Sequence, residues 1–378
     1  MIRVIEVSSD TNIGGAGKCL ITLLENFNRD EFEVKAVLPK NSLLKDHITA
    51  LGVEVIEVDG IAEKSLSASA VGELKRIFKA EKPDIVHTHG SMSARIAARL
   101  AGARVVYTRH SVFPPPPKIS KGIGKMINGA VNNYFADGII AVAEAAKENL
   151  TDTGVSEKKI RVILNGVDAL EKIEFDEREA VKKRFGVKDE RVVSIVARLE
   201  DIKGHRYFIE AADKILKDGI KAKFFIAGTG SYEDELKRAV KEINRENDIC
   251  FTGFIKDADA LMNITDVQVN ASYGTEATSL ALLEGMSIGV PAVVSDFGGN
   301  PGVIKNGKNG FVVPKQNSDA LAEKIEELLE NGELYDDMSD ASRRIFEETF
   351  TARAMTRSTE QMYKDVLNDK VINKEVNK

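Results

Sequence analysis

Residues 273–299 read Tyr273-Gly-Thr-Glu276-Ala-Thr-Ser-Leu-Ala-Leu-Leu-Glu284-Gly-Met-Ser-Ile-Gly-Val-Pro-Ala-Val-Val-Ser-Asp-Phe-Gly-Gly299. Thr278 and Ser279 are favourable N-cap residues, and the leucines that follow them can pack a helix against a core. Glu276 then lies in the loop before the helix, and Glu284 lies nearly two turns into it. Because the first backbone amides of a helix lack intrahelical partners, the segment between the two acids suits a phosphate. An anion site flanked by acids that can hydrogen-bond to hydroxyls is typical of a nucleotide-sugar site.

Short β-branched segments alternate with helical patterns on both sides of this stretch. The predicted strands are 2–7, 34–38, 53–58, 84–87, 104–108 and 138–142, followed by 192–196, 223–227, 249–252, 267–269, 291–295 and 311–313. The predicted helices include 18–26, 71–79, 207–217, 232–244, 280–287 and 320–331. Such alternation indicates parallel sheets with helices on both faces. The predicted fold class is α/β, with two doubly wound Rossmann-like domains.

A length of 378 residues favours two domains over one. The charged segment 166–190 reads as a linker with a short helix, so we place the boundary there. The predicted domains are 1–168 and 169–350, followed by a C-terminal helix and tail over 351–378 that we expect to pack toward the N-terminal domain. Because parallel sheets bind ligands at the carboxyl ends of their strands, two facing domains of this kind would enclose a cleft.

The composition excludes several classes of protein. No apolar run approaches the roughly 20 residues that cross a bilayer, and the N-terminus lacks the long apolar core of a secretory signal. Cys19 and Cys250 are the only cysteines and form no CxxC or disulfide framework. The net charge of −6 argues against nucleic acid as a main partner. We therefore expect a cytoplasmic location.

A glycine-rich loop, Asn12-Ile-Gly14-Gly15-Ala-Gly-Lys18, follows the first predicted strand. Glycines there allow close backbone approach to a phosphate or sugar. The loop is neither a Walker A motif, because Asn12 and Cys19 stand where Gly and Ser or Thr are needed, nor a GxGxxG motif, because Leu20 takes the last position. Neither an NTPase nor an NAD enzyme is supported. A plain strand-to-helix turn remains an alternative.

Three histidines lie near the ends of two predicted strands. His87 and His89 share one face of their strand because they are two residues apart, and His110 stands just past the next strand. We expect all three to provide polar lining. No third ligand at a diagnostic spacing accompanies the pair, so no metal site is predicted. A structural role is the alternative for His110.

Charged residues of the second domain suggest a diphosphate site. Arg198 and Lys203 follow a predicted strand and can reach a diphosphate, the first as a fork and the second as a point charge. Surface charge pairing is the alternative. Asp257-Ala-Asp259 has the DxD form of some metal-dependent sugar transferases, but we interpret it as capping of the helix that follows.

Residues 85–136 contain seven lysines and arginines and no carboxylate. This segment is either a solvated basic face or a surface that attracts an anionic acceptor or membrane. Its stretch Lys118-Ile-Ser-Lys-Gly-Ile-Gly-Lys-Met-Ile127 combines cations with apolar groups, as an interfacial segment does. Glycines near and within it disfavour a stable helix.

Taken together, these motifs resemble glycosyltransferase family 4, which has the GT-B fold, over nearly the whole chain. The matching segments are the Gly14-Gly15-Ala16 loop, His110, Asn165-Gly-Val-Asp168, Arg198 with Lys203-Gly204, Ala227-Gly-Thr-Gly230, Thr252-Gly-Phe254, Glu276 to Glu284, and Gly289 to Gly299. The resemblance implies a metal-independent, retaining transfer of a sugar from a nucleoside diphosphate donor, with UDP-sugars favoured and GDP-sugars possible. No cofactor is implied beyond that co-substrate.

The resemblance also implies roles for individual residues. His110, Glu276, Arg198 and Lys203 are the implied catalytic residues. The implied donor-binding residues are Gly14, Gly15, Arg198, Lys203, Gly253, Phe254, Ile255, Glu276, Thr278, Ser279, Leu280 and Glu284. Candidates on the acceptor side, in the N-terminal domain, are His87, His89 and Arg109. Glu276 is followed by Ala277-Thr278, a departure from the usual family pattern that leaves the donor sugar undetermined.

The predicted activity is hexosyl transfer to a glycolipid, polysaccharide or other glycoconjugate acceptor. The expected location is the cytoplasm. Residues 85–136 could also hold the protein at the inner face of the cell membrane, by contact with anionic lipid. Two alternatives remain open. A nucleotide-sugar 2-epimerase has the same two-domain architecture, and a non-enzymatic sugar-binding protein can close two lobes around its ligand.

Overall fold

The computed structural model describes residues 1–62, 65–254 and 258–370. The chain forms two compact units. The first comprises Met1–Gly166 together with the C-terminal segment that begins at Ala352, and the second is Val167–Thr351. Each unit is built around one sheet.

The first unit contains a seven-stranded sheet in the order β3-β2-β1-β4-β5-β6-β7, in which all recorded pairings are parallel. Its strands are β1 (Ile2–Ser8), β2 (Phe32–Pro39), β3 (Glu54–Val58), β4 (Ile85–His89), β5 (Arg104–Arg109), β6 (Gly138–Ala141) and β7 (Ile160–Val162). Its helices are α1 (Gly15–Asn26), α2 (Leu44–Ala50), α3 (Ala68–Glu81), α4 (Met92–Ala101), α5 (Pro117–Ser120), α6 (Gly122–Tyr134), α7 (Glu144–Asp152) and, from the end of the chain, α16 (Ala352–Leu367).

The second unit contains a six-stranded parallel sheet in the order β10-β9-β8-β11-β12-β13. Its strands are β8 (Arg191–Val196), β9 (Ala222–Ala227), β10 (Ile249–Gly253), β11 (Val267–Asn270), β12 (Ala292–Ser295) and β13 (Gly310–Val313). Its helices are α8 (Phe175–Arg184), α9 (His205–Lys217), α10 (Glu233–Glu242), α11 (Ala258–Ile264), α12 (Leu280–Ser287), α13 (Asn300–Val303), α14 (Ser318–Glu330) and α15 (Gly332–Thr349). A 3-10 turn, Asp201–Lys203, precedes α9.

The last helix completes the core of the first unit. Met362 and Tyr363 of α16 are fully buried in the same apolar cluster as residues of α1 and β2. The Tyr363 ring lies 6.2 Å from the Phe27 ring and 6.1 Å from the Phe32 ring, measured between centroids. Burial of these aromatic side chains removes a large apolar area from water, so the C-terminal helix is an integral part of this unit.

The structure confirms the predicted α/β class with two doubly wound sheets. Each predicted strand is present, with its ends shifted by at most two residues. Sequence analysis missed β7, because a three-residue strand is too short to show a pattern. The expectation that glycines would disfavour a helix after Lys121 is wrong, since α6 spans Gly122–Tyr134. The part of the predicted tail after residue 370 lies outside the described residues.

Along the described ranges of the chain, no helix combines the length and the apolar character needed to span a bilayer.

Candidate functional site

In each sheet the strand order reverses at one point, between β1 and β4 in the first unit and between β8 and β11 in the second. Open parallel sheets bind ligands outside the carboxyl ends of the strands at such a switch point. In the second unit, the segments that follow these strands contain Arg198, Lys203 and Glu276. In the first unit, the glycine loop follows β1, and His89 ends β4. Several sequence-predicted residues thus lie at the two switch points, whereas His110 follows β5 and Phe254 follows β10.

The segments after β8 and β11 are fastened together by close backbone packing. The Tyr273 amide donates to the Ile202 carbonyl at 2.9 Å. Gly204 has φ +74°, and a Cβ at this position would lie 2.1 Å from the Ala271 carbonyl oxygen. Only glycine fits there, which explains why it follows Lys203. The result is a fixed position for the Lys203 side chain above the loop after β11.

The Glu276 carboxylate is held through one of its two oxygens. Its Oε2 accepts from Lys203 Nζ at 3.0 Å, from Asn270 Nδ2 at 3.1 Å and from Ser272 Oγ at 3.1 Å. The residue is 8% exposed. Within the described ranges, Oε1 accepts no hydrogen bond, and it is not among the buried polar atoms that lack a partner. The carboxylate is therefore oriented by one oxygen, and the other has no hydrogen-bond partner among the described residues.

A pair of glycines supports the backbone of Glu276 from the other side. Gly298 has φ +59°, and a Cβ there would lie 2.0 Å from the Glu276 carbonyl oxygen. The Gly299 amide donates to that carbonyl at 3.2 Å. The backbone of Glu276 is thus positioned by glycines of the predicted motif, whereas its carboxylate is held by Lys203 together with Asn270 and Ser272.

Helix α12 begins where the sequence predicted. Ser279 caps it by accepting from the Leu282 amide, and Thr278 and Leu280 flank the cap. Glu284 is half-buried in the second turn. The two acids therefore lie in the loop and on the helix, as expected.

Arg198 and the end of β10 are less constrained. Arg198 is exposed and forms a 2.8 Å ion pair with Glu200. Phe254, just after β10, is 76% exposed, and Gly253 before it has φ +67°. The predicted contact residue Ile255 and the capping residue Asp257 lie outside the described residues. The donor-binding roles of Arg198, Gly253 and Phe254 stay predictions.

In the first unit, the glycine loop leaves the start of α1 open. Gly14 is the N-cap, no side chain caps the helix, and Gly15 is its first residue. A Cβ at either glycine would meet nothing within 4 Å. Packing therefore does not require glycine here, and the small residues leave the first amides of α1 accessible to an anion.

The three histidines form one hydrogen-bonded cluster with Glu6 and Tyr363. Glu6 Oε2 lies 2.9 Å from His89 Nε2 and 3.0 Å from His87 Nδ1. Tyr363 donates to Glu6 Oε1 at 2.7 Å and lies 2.7 Å from His87 Nδ1. His89 Nδ1 lies 2.7 Å from His110 Nε2. Parallel register places Glu6 beside His87, which brings the acid to the histidines.

Glu6, His87 and His89 each offer a ligand atom, and these atoms lie within 4.8 Å of one another. Sequence analysis found no third ligand because Glu6 lies on a different strand. The separations of 2.9 and 3.0 Å are hydrogen-bond lengths, and a metal ion would have to replace those bonds. The geometry is that of a proton-sharing cluster.

Burial and charge set the protonation of this cluster. Burial alone would raise the pKa of Glu6. His87 and His89 lower it, through their charge and through hydrogen bonds to the carboxylate, so that the pKa lies well below its usual value. Burial lowers the pKa of His89, and it lowers that of His110 further, helped by the other histidines. Burial and then the Glu6 charge raise the pKa of Tyr363. Near neutral pH, Glu6 is therefore ionised while His89 and His110 are neutral.

Arg109, an acceptor-side candidate, has protein partners. Its guanidinium donates to Asn149 Oδ1 at 3.0 Å and stacks 4.4 Å from the centroid of Phe113. Its role toward an acceptor stays a prediction.

Sequence reasoning missed Glu6, Tyr363, Asn270 and Ser272. A carboxylate in the middle of the apolar strand Ile2–Val7 was the available signal for Glu6, because a buried charge needs partners. No sequence pattern indicates that Tyr363 contacts Glu6, because more than 350 residues separate them.

The acid-free segment 85–136 is not uniformly a basic surface. Its arginines have partners within the first unit: Arg95 is buried and donates to Asn132, and Arg99 and Arg104 pair with Asp137. Lys118, within α5, and Lys121, directly after it, are exposed. The cationic surface is therefore confined to the lysines beside α6.

Helix α6 presents its large apolar residues to solvent. Ile123 is 74% exposed and Met126 is 72% exposed, and Ile127 and Tyr134 continue the same stripe. Gly129 faces inward, where a Cβ would lie 2.1 Å from the Gly154 carbonyl oxygen. The helix packs against the unit through its Gly129 face. Its apolar face points away from that contact and has no protein partner among the described residues. We refer to Ile123, Met126, Ile127 and Tyr134 as the α6 stripe.

Comparisons with known proteins match both units. Residues 13–169 match the family model described as Glycosyltransferase Family 4, and residues 176–345 match that of Glycosyl transferases group 1. The UDP-Gal:alpha-D-GlcNAc-diphosphoundecaprenol alpha-1,3-galactosyltransferase of Escherichia coli is 28% identical over 340 residues, which cover 85% of this chain and 86% of that protein.

Solved structures share the fold at lower identity. HepE of Anabaena, solved with UDP and glucose, has a TM-score of 0.85 at 20% identity, covering 97% of this chain and 100% of that one. A Listeria monocytogenes protein proposed to be a UDP-N-acetylglucosamine 2-epimerase has a TM-score of 0.66 at 17% identity, covering 99% and 98%. The architecture is thus the GT-B fold, shared by these two proteins.

Proposed function

The chain belongs to glycosyltransferase group 1, family 4, and on that premise we propose that it transfers a sugar from a nucleoside diphosphate sugar to a glycoconjugate acceptor with retention of configuration. UDP is the proposed nucleotide, because HepE was solved with UDP and the E. coli relative is named for UDP-galactose. A GDP-sugar is the second candidate donor. The acceptor class proposed is a glycolipid or growing polysaccharide.

The observation that carries the proposal is the one-sided anchoring of Glu276. Three donors saturate Oε2 and leave Oε1 for a ligand. A carboxylate held in this way is an oriented acceptor for sugar hydroxyls rather than a mobile acid. Glu284, on the second turn of α12, is the proposed partner of ribose hydroxyls.

The charges suit the departure of a diphosphate. Cleavage at the anomeric carbon builds negative charge on the leaving phosphate and positive character on the sugar ring. Lys203, Arg198 and the first amides of α12 are the proposed stabilisers of the first charge. Glu276 favours the second. With these cations, we propose transfer without a metal ion, in which the leaving phosphate accepts the proton of the acceptor hydroxyl on the same face.

Contact with an anionic membrane is proposed for the α6 stripe. Exposed apolar residues spaced along one face of a helix, with Lys118 and Lys121 beside them, combine the two features that hold an interfacial helix on anionic lipid. We propose that the protein acts in the cytoplasm at the inner face of the membrane, where a lipid-linked acceptor would be presented.

The test is a panel of labelled UDP- and GDP-sugars with and without lipid-linked sugar acceptors. We expect binding of one UDP-sugar and release of UDP that depends on the acceptor, with the anomeric configuration of the donor preserved in the product. Failure to bind any nucleotide sugar would contradict the proposal. An epimerised donor formed without acceptor identifies the protein as an epimerase, and tight binding without turnover identifies a sugar-binding protein.

A further inference from the structure

A chain of hydrogen bonds runs from the fully buried Glu6 to the partly exposed His110. Glu6 Oε2 lies 2.9 Å from His89 Nε2, and His89 Nδ1 lies 2.7 Å from His110 Nε2. The His89 and His110 rings are nearly parallel, with centroids 5.0 Å apart. Among the described residues, His110 Nδ1 has no partner. This chain of hydrogen bonds therefore begins at the buried Glu6, which we call its closed end. It finishes at the Nδ1 atom of His110, which we call its open end.

The direction of these hydrogen bonds follows from the charge at the closed end. An ionised carboxylate only accepts, so His89 must carry its proton on Nε2 and donate it to Glu6. A neutral imidazole has one proton, so His89 Nδ1 is left as an acceptor. It then accepts from His110 Nε2, which leaves His110 Nδ1 with a free lone pair.

The other groups around the chain support this order. Tyr363, whose phenol stays protonated, donates to Glu6 Oε1, and His87 Nδ1 donates toward Glu6 and the tyrosine oxygen. His87 Nε2 has Thr108 Oγ1 as its partner at 2.6 Å. Two further carboxyl groups act electrostatically on the cluster, Asp10 on His89 and Glu360 on Tyr363, and burial raises the pKa of Asp10. Among the described residues, Glu6 is the carboxylate whose oxygen lies within hydrogen-bond distance of His89.

We infer that Glu6 and His89 are positioning residues that hold His110 as the neutral Nε2–H tautomer, so that its Nδ1 accepts a hydrogen bond from a ligand hydroxyl. The identity of that ligand as a sugar rests on the proposed function, whereas the tautomer does not. A neutral acceptor has a chemical advantage in this reaction, because an imidazolium would repel a sugar ring that gains positive character. His110 selects a hydroxyl that donates and disfavours a group that only accepts.

The tautomer can be measured directly. The chain has five histidines, so uniform 15N-histidine labelling gives few signals, and protonated and bare ring nitrogens resonate far apart. His110→Gln identifies the signals of His110 by their loss. We expect His110 in the Nε2–H form from pH 7 down to well below the usual histidine pKa of about 6.5. An Nδ1–H form or an imidazolium at pH 7 would overturn the inference.

An isosteric pair of variants tests the role of Glu6. In Glu6→Gln, the amide oxygen can keep the Tyr363 bond, so the amide NH2 faces His89 and donates to its Nε2. His89 then carries its proton on Nδ1 and donates it to His110 Nε2. His110 Nε2 must therefore be the acceptor, and His110 takes the Nδ1–H form. Tyr363→Phe is the matched control, since it removes one hydrogen bond from Glu6 Oε1 but leaves the Oε2 anion in place, and His110 should keep its tautomer.

Activity provides a second readout that a merely structural role does not share. We expect Glu6→Gln to lower the kcat for sugar transfer about tenfold, as for one lost transition-state hydrogen bond, with binding of free UDP unchanged. An unchanged His110 tautomer in a folded Glu6→Gln protein would contradict the inference, as would stoichiometric metal bound to the wild type with metal-shifted histidine signals. If the proposed function fails, no variant shows transfer, yet the tautomer measurement still decides the inference.

Discussion

Lys203 and Glu276 form an ion pair, with the Lys203 ammonium 3.0 Å from Glu276 Oε2 and both side chains largely buried. The same ammonium donates to the Thr275 carbonyl at 3.0 Å. A buried pair of this kind ties two functions together, because the cation proposed for the diphosphate also orients the carboxylate proposed for the sugar. Removal of either side chain leaves the other as an uncompensated charge.

We therefore predict that the two residues are coupled rather than additive. Lys203→Met should lower kcat about 100- to 1000-fold through loss of a fixed charge at the leaving group. Glu276→Gln should lower it as well, while retaining the shape of the site. Because each change disturbs the other residue, the double variant should lose less than the product of the two single losses. Kinetics of the four proteins in a double-mutant cycle measure this coupling, and strictly multiplicative effects would contradict it.

The glycine behind Glu276 allows a separate test of positioning. In Gly298→Ala, the new Cβ would lie 2.0 Å from the Glu276 carbonyl oxygen at a φ of +59°, so the loop must shift. We expect weaker donor binding and a loss of stability of about 1–3 kcal/mol. Gly302→Ala is the matched control, because a Cβ there meets nothing within 4 Å. Calorimetric titration with UDP and urea unfolding report the two effects; equal behaviour of the two variants would contradict the role of Gly298.

His205 makes the second unit sensitive to acid. Both ring nitrogens of this buried residue lack a partner in the part of the chain that the structure describes. Burial, and then the Lys203 charge, lower the pKa of His205 to about 4. The unfolded chain binds a proton near pH 6.5 and the folded chain does not, so stability is lost as the pH falls from 6.5 toward 4 and then levels off.

Because of this single group, the free energy of unfolding should be about 2 kcal/mol lower at pH 5 than at pH 7. His205→Leu removes the titration, so the variant should lose less stability than the wild type between these two pH values. Urea unfolding of both proteins at pH 7 and pH 5 measures the difference, in which the contributions of Glu6, His89 and His110 cancel. Parallel losses in the two proteins would show that His205 does not carry this dependence.

The fold was predictable because its determinants are local. Hydrophobic periodicity and the N-cap at Ser279 placed α12 at its observed residues, and apolar runs placed the strands of both sheets. The site was predictable only where its residues stand next to such elements, as Lys203 and Glu276 do. The buried side of the histidine cluster was not, because Glu6 and Tyr363 are brought together by sheet register and by the return of α16, which no local pattern encodes.

The acid-free segment shows how folding can change the meaning of a composition. Counting charges predicted a basic face over 85–136, but Arg95, Arg99 and Arg104 have partners inside the unit. What remains is smaller and more specific, namely the α6 stripe with the neighbouring lysines. Helix α6 forms despite its glycines and packs Gly129 closely against Gly154, which a propensity scale alone does not anticipate.

The α6 stripe predicts binding to anionic vesicles. Full-length protein should float with liposomes of phosphatidylglycerol and phosphatidylethanolamine, and float less with phosphatidylcholine alone or at high salt. Ile123→Ser with Met126→Ser should reduce flotation, because both side chains are more than 70% exposed and supply apolar area. Lys118→Gln with Lys121→Gln should weaken binding by about 2 kcal/mol, or roughly 30-fold.

Phe175→Ser is the matched control, since Phe175 is 73% exposed but belongs to the second unit. Equal failure to bind neutral and anionic vesicles, or an equal loss in the Phe175→Ser protein, would contradict docking through α6.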